Sequence, residues 1–201
     1  MEEEKLIEEH KVNLEESIEF FSDKNKKQRE LWVVREFLTS LSMPFQEDEL
    51  KFVSDEPPDI LFRGANFEVK ELLDEGRRRH DEYKESLFKS QSAKKFSDLL
   101  ELYTPREILI QEVVNLINAK LLNIMYSLGV CKNLDILFYV NLQRSGISNN
   151  DYIIPDEEKW RKWRSICIVE DNKLGSVLWA SEQAPDFLKS VKGKIIIRGE
   201  K

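Results

Sequence analysis

Apolar spacing divides the chain into helical and extended stretches. Leu6, Ile7, Leu14, Ile18 and Phe21 fall among acids over residues 2–22, which predicts an amphipathic N-terminal helix. Leu31, Val34, Leu38 and Leu41 recur at i, i+3, i+7 and i+10, so a second helix is expected over residues 25–42, closed by Pro44. Leu50-Lys51-Phe52-Val53 alternates as a strand does, and Asp55-Glu56-Pro57 turns the chain into the next extended run. Pro58-Asp59-Ile60-Leu61-Phe62-Arg63-Gly64-Ala65-Asn66-Phe67-Glu68-Val69-Lys70 reads as a β-hairpin. Arg63-Gly64-Ala65-Asn66 supplies its turn, because Gly and Asn tolerate positive φ. Residues 76–103 are charged and helix-favouring, with Tyr83, Leu87, Phe88 and Phe96 as sparse anchors, the pattern of a helical arm or of an exposed connector.

Thr104-Pro105-Arg106-Glu107 carries helix-start chemistry, with Thr as cap, Pro first and Glu third. It predicts a helix through Ile108, Val113, Leu116, Ile117, Leu121, Ile124 and Met125 to Gly129. Asp135 to Asn141 reads as a buried central strand, and Ser165 to Val169, Ser176 to Ala180 and Lys194 to Ile197 as further strands. The expectation is one α/β domain over residues 1–201, with a core at 25–142 and C-terminal strands within 160–201 that extend a mixed sheet.

Within the hairpin, period-two alternation sets Glu68 and Lys70 on one face and Phe67 and Val69 on the other. The turn folds the Asp59 strand back beside Glu68. Two carboxylates and an ammonium then converge on one patch, and hard divalent cations such as Mg²⁺ need few protein carboxylates when phosphate oxygens and water complete the shell. That is the chemistry of metal-assisted phosphodiester hydrolysis. The alternative is a pair of surface acids with Lys70 as an ion-pair partner. Against it, Ile60-Leu61-Phe62 and Phe67-Glu68-Val69 are too apolar for a wet edge hairpin. Two other Pro-Asp pairs lack this context. Pro155-Asp156-Glu157-Glu158 precedes Trp160 and Trp163 at helical spacing and reads as a helix start, and no acid-x-Lys strand follows Pro185-Asp186.

Pro58-Asp59 followed by Glu68-Val69-Lys70 resembles the signature of the PD-(D/E)XK, or restriction-endonuclease-like, nuclease superfamily. Residues 30–38 and 68–83 resemble a family of small, uncharacterised bacterial proteins described as endonucleases. The resemblance implies an αβββαβ core and a Mg²⁺- or Mn²⁺-dependent endonuclease acting on DNA. Asp59, Glu68 and the Val69 carbonyl would hold the metal, and Lys70 would orient or deprotonate the attacking water. It also implies an acid from the preceding helix. Glu30 lies at the edge of that helix's apolar stripe, whereas Glu36 points away, so Glu30 is the candidate, with a solvated glutamate beside Lys26, Lys27 and Arg35 as the alternative. The runner-up is a catalytically silent nuclease fold that binds nucleic acid or a protein partner, and a weaker third is a protein-only regulator.

Charge modifies this picture. The 201 residues carry a formal net charge of −7, which argues against tight non-specific nucleic-acid binding. Local sign differs: Lys24, Lys26, Lys27 and Arg29 precede Glu30, and Arg77-Arg78-Arg79-His80 follows the hairpin. Lys27, Arg77, Arg78, Arg79 and His80 are therefore the nucleic-acid-binding candidates, with solvated helix faces as the alternative. No apolar run approaches the length of a membrane helix and the N-terminus is acidic where a signal peptide is basic, so a cytoplasmic, membrane-free protein is expected. Cys131 and Cys167 read as buried reduced thiols, and His10 and His80 support neither a zinc site nor a catalytic triad. Enzymes that cut both strands are commonly homodimers, but no heptad or interface pattern specifies one here.

Overall fold

The computed structural model describes residues 2–101, 103–104, 106–143, 145–148, 156–171 and 173–198. Pro105 of the expected helix start and Pro155 of the second Pro-Asp pair lie outside the described residues. The chain divides into two compact units, Met1–Arg29 with Glu75–Thr104, and Glu30–Asp74 with Pro105–Lys201.

The first unit is helical. Helix α1 (Glu2–Phe20) buries Ile7 and Leu14, while α2 (Lys26–Ser40) spans the chain position at which this unit gives way to the second. The charged stretch forms α3 (Arg79–Ser92). Aromatic contacts compensate for its few aliphatic residues: Phe21 stacks on Tyr83 with ring centroids 5.5 Å apart, and the Arg79 guanidinium lies 3.5 Å from the Phe21 centroid. The Glu3 carboxylate accepts from the Phe96 N–H at 2.6 Å, tying the end of the arm to α1.

The second unit is built on a seven-stranded mixed sheet flanked by helices. Its strands are β1 (Lys51–Phe52), β2 (Ile60–Phe62), β3 (Ala65–Leu72), β5 (Asp135–Val140), β7 (Ser165–Glu170), β8 (Leu174–Ala180) and β9 (Ile195–Ile197), in the order β1-β2-β3-β5-β7-β8-β9. The centre is parallel, β3 to β5 to β7, and both flanks are antiparallel. Every residue of β5 and β7 is buried, as the continuous apolar runs predict for strands covered on both faces. Leu137, Tyr139, Cys167 and Val169 face the layer formed by Leu31, Val34, Phe37 and Leu38 of α2. Ile136, Phe138, Ile166 and Ile168 face the layer of Val113, Val114 and Ile117 on α4 (Ile110–Leu122), with Trp160 and Trp163. The αβββαβ order is present in α2, β1, β2, β3, α4 and β5, and β7, β8 and β9 extend the sheet as expected.

The expected helix start at Arg106 is corrected. Arg106–Leu109 is strand β4, pairing in parallel with β6 (Ser145–Ser148) in a separate two-stranded sheet. Only Ile108 of β4 is buried, so the segment has no apolar period, and ladder pairing rather than capping satisfies its backbone. Helix α4 follows directly and ends at Leu122, short of Gly129, which lies in α5 (Leu128–Cys131) behind a Ser127 cap. The helix start read at Asp156 is present: Asp156 caps α6 (Glu157–Trp160), its side chain accepting from Lys159 N, and Pro185 likewise precedes a short helix, α7 (Asp186–Lys189). Both cysteines are free and buried.

Candidate metal centre

The hairpin forms in the expected place with a tighter turn. Arg63 and Gly64 adopt φ of 42° and 80°, while Ala65 already pairs with Phe62, so two residues in left-handed backbone close the loop. Arg63 is an unusual residue at positive φ, and its guanidinium is held by a fork to Glu49 at 2.6 and 2.7 Å. The same hydrogen bonds hold the Glu49 carboxyl below its usual pKa. The turn fixes the register Ile60 to Phe67, which continued by one residue sets Asp59 across from Glu68.

At that position β2 has ended and Asp59 supplies the missing pairing itself. Its N–H donates to the Phe67 carbonyl at 2.9 Å, and its side-chain Oδ2 accepts from the Val69 N–H at 2.8 Å. A strand residue's N–H and C=O face the same neighbour. The Val69 carbonyl therefore faces the edge at which the Asp59 carboxylate sits. Glu30 arrives from the first turns of α2, where the apolar stripe packs on the sheet, and Glu56 from the turn before Pro57. Among the described residues, oxygens of Glu30, Glu56 and Asp59 all lie within 4.8 Å of one another. Glu30 and Asp59 are buried, and Glu56 is exposed. Three carboxylates so close offer an oxygen-seeking divalent cation an all-oxygen set of ligands.

Glu68 lies outside this three-carboxylate group. It is 2% exposed, and its Oε1 accepts from Lys70 Nζ and from the Tyr126 hydroxyl, both at 2.6 Å. Its Oε2 is buried and, among the described residues, receives no hydrogen bond. The Lys70 side chain remains 29% exposed, so the ammonium is paired without being cut off from solvent. Glu36, set aside as pointing away, pairs with Arg198 at 3.0 Å.

The basic candidates belong to the helical unit. Arg77 Nε donates to both oxygens of Glu82, at 2.8 and 3.0 Å, and Arg79 covers Phe21, whereas Lys27 and Arg78 are exposed and His80 is half-buried. Sequence reasoning missed two residues at the site. Glu56 lies between segments, three positions before Asp59 in a proline-stiffened turn, and its acid so near Asp59 was the available signal. Tyr126 gave none, because it follows α4 at a separation of 58 residues from Glu68.

Comparison with known proteins adds two findings and one absence. A protein of unknown function from Pseudomonas aeruginosa strain PAO1, described as of the monooxygenase superfamily, is 27% identical, with a TM-score of 0.66 over 98% of this chain and 96% of that one. No curated protein matches. Among the described residues no helix is long and apolar enough to cross a membrane. The family profile described as "Putative endonuclease, protein of unknown function (DUF1780)" matches residues 2–200, and the chain belongs to that family.

Proposed function

We propose that the protein is a Mg²⁺- or Mn²⁺-dependent endonuclease of the PD-(D/E)XK type that hydrolyses phosphodiester bonds of DNA. The observation that carries this reading is the carboxylate group of Glu30, Glu56 and Asp59, joined through the Asp59–Val69 hydrogen bond to the strand that bears Glu68 and Lys70. The clustered donors fit the ion, being all oxygen, and Glu68 Oε2, outside that group, is a further buried oxygen with no hydrogen-bond donor among the described residues. Asp59, Glu30 and Glu56, with Glu68 Oε2 and the Val69 carbonyl, would hold it. When bound, such an ion lowers the pKa of coordinated water and offsets charge on the phosphoryl oxygens. Lys70, anchored on Glu68 Oε1, orients the attacking water and places positive charge where charge builds on phosphorus. The monooxygenase description belongs to the Pseudomonas protein.

The test is nicking of supercoiled and linear DNA with and without Mg²⁺ or Mn²⁺. Lys70→Ala is expected to lose about 10²–10⁴-fold in rate while keeping metal-dependent thermal stabilisation, and Asp59→Asn to lose both. Chelation by EDTA should remove activity and stabilisation together. Metal-dependent cleavage that survives in Asp59→Asn would overturn the assignment, and a wild type indifferent to metal would instead favour a silent binding module.

A further inference from the structure

We infer that Tyr126 is a positioning residue of this centre: its hydroxyl pins Glu68 Oε1, and so makes Oε2 the oxygen that Glu68 offers to a divalent cation. The inference rests on the metal-centre reading above and extends it to a residue outside the sequence motif. An ionised carboxylate has two equivalent oxygens that accept from any donor in reach. Here the donors are not shared evenly. Tyr126 and Lys70 both donate to Oε1 at 2.6 Å, while Oε2, on a side chain that is 3% exposed, is buried and receives no hydrogen bond among the described residues. Buried carboxylate oxygens are rarely left in that state, because no hydrogen bond then offsets their desolvation. A cation at Oε2 completes the set.

The placement of Tyr126 suits a fixed donor rather than a passing contact. Period-two alternation puts Glu68, Lys70 and Leu72 on the α4 side of β3, and Leu72 packs in that layer, with Tyr126 against it. The phenol ring meets Trp163 edge-on at 6.5 Å, and the Tyr126 carbonyl accepts from Cys131 Sγ at 3.8 Å. Ser127, the next residue, caps α5. Lys70 Nζ lies 6.0 Å from the centre of the Tyr126 ring, so the same aromatic also guides the ammonium that shares Oε1. Groups that orient a metal-binding carboxylate in this way commonly change affinity for the ion when removed.

The experiment is Mn²⁺ titration of the full chain by calorimetry, with melting curves in EDTA as the check of fold. Tyr126→Phe deletes only the hydroxyl and is expected to weaken Mn²⁺ binding about 10-fold or more. Its melting temperature without metal should stay close to wild type, and its DNA cleavage should recover as Mn²⁺ is raised to saturation. In a Glu68→Gln background, where the three clustered carboxylates remain, the same substitution should cost nothing further. Wild-type Mn²⁺ affinity in Tyr126→Phe overturns the inference and leaves the metal centre standing. So does a loss of equal size in the Glu68→Gln background, which marks a structural role. If the wild type binds no Mn²⁺, the centre and the inference fall together.

Discussion

Asp135 is fully buried at the first position of β5, and the three parallel strands converge on its carboxylate. The Asn66 N–H of β3 donates to it at 2.8 Å, the Ser165 hydroxyl of β7 at 2.8 Å, and Arg164 grips both oxygens from the residue before Ser165. A buried charge so surrounded is satisfied only while all its partners remain, and removing one side of such a pair leaves the other uncompensated. Asp135→Ala is therefore expected to lower the free energy of unfolding by about 3–5 kcal/mol. The readout is a lower urea midpoint at an unchanged slope. A loss under about 1 kcal/mol would show that the network contributes geometry rather than stability. The same carboxylate helps hold the Cys167 thiol neutral: burial pushes its pKa up first, and the Asp135 charge adds to it. Burial also raises the Cys131 thiol. Thiolate is the reactive form, so neither cysteine should react with Ellman's reagent in the native protein at pH 8, and both should after denaturation.

Packing of α2 against β8 decides what the element scale tolerates. A Cβ at Gly175 would lie 1.9 Å from Ser40 Oγ and 3.0 Å from Ser40 Cβ, so helix and strand approach more closely there than any side chain permits. Ser40 is buried and its hydroxyl donates to the Phe37 carbonyl, so it cannot swing away freely. Gly175→Ala should cost about 1–3 kcal/mol in stability, and adding Ser40→Ala should recover part of that. A neutral Gly175→Ala would mean that α2 shifts easily, and with it Glu30. These elements were legible because burial on both faces writes an unmistakable run, as in Asp135 to Val140, and because the α2 stripe is periodic. The hairpin was legible from Gly64 between two apolar runs. The short strands β4 and β6 were not, since each finds its partner only in the fold: Arg106–Leu109 begins within the cap-like letters Thr104-Pro105-Arg106-Glu107, and Ser145–Ser148 has no pattern. Glu56 and Tyr126 escaped for the same reason, because a loop residue's neighbours are set by tertiary contacts rather than by period.

Over the whole molecule, a chain of net charge −7 must still admit a polyanion if it cuts DNA, so the basic groups that do meet phosphate have to be identified individually. Four of the five candidates divide by their surroundings. Arg77 is engaged with Glu82 and Arg79 lies over the Phe21 ring, so both serve the packing of the helical unit, while Lys27 and Arg78 are exposed. Deleting a cation that neutralises one phosphate removes one counterion-release event, lowering the slope of log affinity against log salt by about 1. Lys27→Ala and Arg78→Ala should therefore weaken DNA binding similarly for all sequences, and each should flatten that slope by about one unit. Arg77→Ala and Arg79→Ala should act first on melting temperature. The measurement is fluorescence-anisotropy titration of a short duplex with catalysis blocked by Ca²⁺ or EDTA, repeated from low to moderate salt. Slopes unchanged in both Lys27→Ala and Arg78→Ala would mark these cations as a solvated face, and the phosphate-binding surface would then have to be sought among the basic residues of the sheet-bearing unit.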